Sequence, residues 1–85
     1  MRAVVRGRVQ GVFFRDSLRR HSSQANVTGW ARNCRDGSLE AVFEGEPEAV
    51  ERMLAFCREG PRGANVEGVE TFDEPEEGLI GFSIR

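Results

Sequence analysis

Apolar positions recur at two different spacings along this chain, and the switches between them mark out the elements. Ala3, Val5, Gly7 and Val9 alternate with Val4, Arg6 and Arg8, which predicts a strand buried mainly on one face. Phe14, Leu18, His21 or Ser22 and Ala25 fall at helical spacing, predicting a helix over about 14–25 with Asn26 as its C-cap. Val27 to Cys34 predicts a second strand. Asp36-Gly37, within Arg35 to Ser38, is a strong hairpin signal. In the third strand Leu39, Ala41 and Phe43 alternate with Glu40, Val42 and Glu44, so the glutamates are expected on a solvated face. Pro47 takes the first position of a second helix. Its apolar stripe is Val50, Met53, Leu54 and Cys57, Glu48 and Arg52 can pair one turn apart, and Gly60-Pro61 ends it. A fourth strand is expected over about 66–73, then the acidic turn Asp73 to Gly78, then a short strand around Phe82 and Ile84.

The order is strand, helix, strand, strand, helix, strand, plus a short C-terminal strand. That is the α+β, ferredoxin-like split βαβ pattern, a sandwich with both helices on one face of an antiparallel or mixed sheet. Residues 1–85 are expected to form one stand-alone domain with a single modest core. A stripe such as Met53 and Phe56 belongs to that core rather than to a ligand box. A net charge of −2 gives no electrostatic footprint for nucleic acid. No apolar run approaches the roughly 20 residues of a membrane span. Met1-Arg2-Ala3-Val4-Val5-Arg6 has no secretory apolar region, so a cytoplasmic monomer is expected. In that compartment Cys34 and Cys57 are expected as free thiols, although they could pair.

The chemistry concentrates between Gly7 and Arg15. A strand runs through a glycine turn (Val9, Gln10, Gly11, Val12, Phe13) into a helix that starts at Phe14 and carries Arg15 in its first turn. Turn N–H groups, the positive helix end and a guanidinium fork together suit an oxyanion. A cation at this end opposes the helix dipole, so Arg15 makes better sense with an anion beside it. Gly11 lets backbone N–H groups face a phosphate, and Gln10 either contacts ligand or is simply exposed. Asn33 is poorly suited to a strand body; it either caps the adjacent turn or orients a water with its amide. His21, one residue off the buried stripe, is expected at the surface.

Other phosphoryl chemistries fail on inventory. There is no lysine and no tyrosine. A cysteine-phosphatase loop needs an arginine where Glu40 follows Cys34 and Gly63 follows Cys57. Asp16, Asp36 and Asp73 are isolated, so neither an aspartyl phosphate nor a carboxylate metal cluster is expected. What remains is a cofactor-free and metal-free site of backbone amides, an arginine and an asparagine.

Over its whole length the chain resembles the acylphosphatase family. Gly7 to Arg15 matches the family's Gly-x-Val-Gln-Gly-Val-x-Phe-Arg without a break. Gly29-Trp30-Ala31-Arg32-Asn33, followed by Asp36-Gly37-Ser38-Leu39-Glu40, matches its second motif, and Gly60-Pro61 is a weaker third marker. The resemblance implies hydrolysis of carboxyl phosphates to a carboxylate and inorganic phosphate. It implies that Arg15 binds phosphoryl oxygens with loop amides from about Gln10 to Arg15, and that Asn33 orients the attacking water. No pocket for an acyl group is legible, so broad tolerance is expected there. The alternative is a module of the same fold that binds phosphate or carbamoyl phosphate without catalysis. It would be favoured by the loss of Arg15 or Asn33, and both are present. An RNA-binding domain of this topology would need exposed aromatics on its central strands; Phe43 belongs to the buried face.

Overall fold

The computed structural model describes residues 1–85. Its elements are β1 (Arg2–Arg8), α1 (Phe14–Ala25), β2 (Thr28–Asn33), β3 (Leu39–Glu44), α2 (Pro47–Glu59), β4 (Asn65–Phe72) and β5 (Phe82–Ile84). They form one five-stranded sheet in the order β4-β1-β3-β2-β5. All neighbours are antiparallel except β2 and β5, which run parallel. The sheet is therefore mixed, and the ferredoxin-like expectation holds.

Period two decides which face each strand residue covers. Ala3 lies opposite Ala41, which lies opposite Ala31, and all three are fully buried. Val5, Leu39 and Phe43 share that face with them. Phe14 and Leu18 from α1, and Val50, Met53, Leu54 and Cys57 from α2, close over it to make one core cluster. Each large apolar side chain removed from water there contributes about 1.5–3 kcal/mol. Phe56 is half-buried, edge-on to Phe14 and tilted against His21, whose ring lies 4.2 Å away on an exposed helix position.

α1 ends at Asn26 in the left-handed region, its N–H donating to the Ser22 carbonyl. Glycine-type geometry at a C-cap is something asparagine tolerates better than most residues. Pro47 opens α2, and Gly60 closes it with its N–H on the Phe56 carbonyl. The hairpin is not the two-residue turn that Asp-Gly favours most. Gly37 N–H donates to the Cys34 carbonyl, Cys34 N–H donates to the Ser38 carbonyl, and Gly37 carries the positive φ. This is the longer type I turn with a glycine bulge.

Two expectations are corrected. Glu44 is not on a solvated face: it is 6% exposed and accepts the N–H groups of Glu77 (2.6 Å) and Leu79 (2.9 Å). The connection from edge strand β4 to the opposite edge strand β5 runs past it and supplies partners that an alternating pattern cannot reveal. Glu40, on the same face, is held between Arg2 (2.9 Å) and Arg32 (2.7 Å). Glu48 and Arg52 do not form the anticipated pair; the ion pairs of this protein lie elsewhere.

Candidate active site

β1 breaks register with β4 between Arg6 and Gly7. Gly7 has φ +124, and a Cβ there would meet the backbone of Asn65 and Glu67, so only glycine lets the strand kink this closely over its neighbour. Beyond the kink the chain leaves the sheet at Arg8 rather than Val9. Val9 drops into the core, and the turn from Gln10 to Phe13 leads directly into α1.

The turn is built so that side chains point away from its backbone. Val9 is buried, Val12 packs on the core margin, and Phe14 is buried against Phe56. Gln10 turns to the β2–β3 hairpin, its Nε2 donating to the carbonyls of Cys34 (2.7 Å) and Ser38 (3.0 Å). Its amide is therefore a fastening between the turn and the hairpin. Gly11 has φ +74, and a Cβ there would meet nothing. None of the backbone hydrogen bonds outside helices and strands uses an N–H of residues 9–13. The first N–H groups of α1 are orphans by helix geometry, and Phe13 at the N-cap offers no side-chain acceptor. A run of donors thus has no partner in the protein.

Phe13 itself is unusual. It sits at φ 58, ψ 29, in the left-handed region, and its side chain is 81% exposed. For a bulky L-residue that conformation costs about 1–2 kcal/mol. Ring packing does not repay it.

Asn33 lies opposite Leu39 in the register, two residues beyond Ala31, so it shares the helix-covered face at the end of β2. Its Oδ1 is buried and accepts no hydrogen bond. Such an orphan acceptor costs about 1–3 kcal/mol and calls for an explanation. Arg15 reaches from the first turn of α1 to the carbonyl of Arg85 at 3.3 Å. Arg85 is held in turn by its N–H on Ala31, and its guanidinium lies 4.4 Å over the Trp30 ring.

These pieces border one pocket of about 380 Å³, lined by Val9, Gly11, Phe13, Phe14, Arg15, Asp16, Asn33 and Ile84. Arg15 and Asn33, eighteen positions apart in the chain, meet here because β2 ends beneath the start of α1. Gln10 and Val12 are in the turn but do not line the pocket. Asp16 and Ile84 do, and the sequence did not point to them. Asp16 is the acidic first-turn residue that a helix N-terminus favours, and Arg19 holds it at 2.6 Å. Ile84 arrives only through the parallel pairing that sets it beside Ala31.

The acylphosphatase family model matches residues 1–84. An acylphosphatase of Rubrobacter xylanophilus is 54% identical over 86 aligned residues, covering 100% of this chain and 78% of that protein. Among solved structures, an acylphosphatase from Coxiella burnetii superposes with a TM-score of 0.94 at 34% identity, covering 99% of this chain and 88% of that one. One from Bacillus subtilis gives 0.93 at 32% identity, covering 99% and 94%. Sequence and fold agree, and the chain belongs to the acylphosphatase family of acyl phosphate hydrolases.

Proposed function

We propose that the phosphoryl group of an acyl phosphate sits in this pocket, held by Arg15 and the unpartnered N–H groups of the Val9–Arg15 turn, while Asn33 positions the attacking water. The single observation that carries the reading is that Arg15 from α1 and Asn33 from β2 line the same pocket. The side chain of Asn33 borders that pocket, and its amide group can hold a water there. Backbone N–H groups and a planar guanidinium together can engage several phosphoryl oxygens, and they stabilise the charge spread over those oxygens in the transition state.

In the reaction, water oxygen bonds to phosphorus as the bond from phosphorus to the carboxyl oxygen breaks. The electron pair leaves on the carboxylate, and the water proton passes to a phosphoryl oxygen. A dianionic acyl phosphate and water thus give a carboxylate and dihydrogen phosphate. The carboxylate is a weak base, so it departs without a protein acid. The phosphoryl group itself takes the proton, so no protein base is required. Catalysis then rests on positioning and electrostatics. Small acyl phosphates are the substrate class, the domain works as a monomer in the cytoplasm, and neither metal nor nucleic acid takes part. No helix is long and apolar enough to cross a membrane.

The test is hydrolysis of benzoyl phosphate in EDTA. The wild type should turn over. Arg15→Ala should lose rate on the order of 10²–10³-fold and lose inhibition by phosphate. Asn33→Ala should lose rate while phosphate still inhibits. Activity abolished by EDTA, or retained in Arg15→Ala, would contradict the mechanism.

A further inference from the structure

Phe13 is the one large aromatic that stands nearly free in solvent, 81% exposed, and it does so at the rim of the candidate site rather than on a neutral surface. It also holds a left-handed backbone at φ 58 that a glycine, asparagine or aspartate would adopt at less cost. Strain with no packing to relieve it is characteristic of positions kept for what they do. The pocket is larger than a phosphoryl group fills. Its lining divides by chemistry: Arg15, Asp16, Asn33 and Gly11 make the polar part, and Phe13, Ile84, Val9 and Phe14 the apolar part. Val9 and Phe14 are themselves buried, which leaves Phe13 and the half-buried Ile84 as the apolar groups a ligand can cover.

We propose that the Phe13 ring, with Ile84, contacts the acyl end of the substrate and sets a preference for aromatic and bulky apolar acyl phosphates over acetyl phosphate. The inference rests on the placement of the phosphoryl group proposed above. With that group anchored at Arg15, the acyl substituent points outward and meets the rim. An aryl group there covers ring surface that otherwise stays in water, and an offset or edge-on arrangement of two rings adds to the gain. A methyl group is too small to cover the same area. A pocket that rewards added apolar bulk discriminates by modest factors, because only the lost contact separates the two substrates.

The experiment is kcat/KM for benzoyl phosphate and acetyl phosphate with wild type, Phe13→Ala and Phe13→Leu. The readout is the benzoyl-to-acetyl ratio in each variant divided by the wild-type ratio, which cancels the different reactivities of the two anhydrides. It also cancels any general loss from disturbing the turn. The ratio should fall roughly three- to tenfold in Phe13→Ala and by less in Phe13→Leu. A ratio unchanged in Phe13→Ala, with both substrates affected alike, overturns the inference. That result would leave the role of Arg15 standing. If Arg15→Ala retained full rate on both substrates, the phosphoryl placement would fail, and this inference with it.

Discussion

Gln10 serves the candidate site without lining it. Its two amide hydrogens go to two carbonyls of the β2–β3 hairpin, Cys34 and Ser38, one of them the residue next to Asn33. The turn that carries the unpartnered N–H groups and the strand that carries Asn33 are therefore joined by one side chain. Gln10→Ala would leave both carbonyls without this partner, a loss of about 1–3 kcal/mol. For a domain of this size each kcal/mol lowers Tm by roughly 4–8 °C. Gln10→Glu should be worse, because a carboxylate oxygen would replace the donor facing those carbonyls. Urea denaturation alongside phosphate inhibition checks this: stability should fall in the order wild type, alanine, glutamate, with phosphate affinity weakening in parallel. A Gln10→Ala protein as stable as the wild type, with unchanged phosphate inhibition, would contradict it.

At the scale of elements, what the sequence revealed and what it hid divide along chain distance. Periodicity located β1, α1, β3 and α2, because Ala3 and Val5, or Leu18 and Ser22, carry their own local signal. The glycine turn pointed to Arg15, and the second motif, Gly29 to Asn33, pointed to Asn33. Local spacing puts Glu44 on a solvated face because its partners lie far off at Glu77 and Leu79, and it gives no sign of Ile84 at the pocket because a parallel edge pairing brings that residue there. Neither relation leaves a trace in local spacing. Glu44 also gives the connection after β4 a pH dependence. The N–H groups of Glu77 and Leu79 hold its carboxyl below the usual carboxylate range. Its contribution is thus fully present above the ordinary carboxylate pKa of about 4.3 and is lost as pH falls through the lower folded value. Glu44→Ala should destabilise the protein clearly at pH 7, and the difference from wild type should shrink on acidification as the wild type loses the charge-assisted bonds that the variant never had. Because the connection leads to β5, which carries Ile84 and is followed by Arg85 with its carbonyl on Arg15, activity should fall along with stability. Denaturation curves at pH 7 and pH 3 decide it; a gap that stays constant between them would show that the carboxylate form is not what holds the connection.

For the whole molecule, the informative groups are the two cysteines, both free thiols. Cys34 is half-buried in the hairpin. Cys57 is fully buried under α2, and burial pushes its thiol up to about 12, against a smaller opposing effect of Arg58. At pH 8 only about 10⁻⁴ of Cys57 would be thiolate even with access, so a thiol reagent should label Cys34 in the native protein and leave Cys57 untouched. Cys57 belongs to the same core cluster as Phe14, the first residue of α1 and a wall of the candidate pocket. Opening that exposes Cys57 should therefore also take apart the site, so a ligand of the site should oppose it. With Cys34→Ser to silence the first thiol, phosphate at 100 times its Kd should stabilise the folded state by about 2.7 kcal/mol and slow Cys57 labelling about 100-fold. If α2 instead frays away from the sheet by itself, phosphate leaves the labelling rate unchanged. The rate measured across a phosphate titration separates the two, and it ties the chemistry of the site to the cooperativity of the single core beneath it.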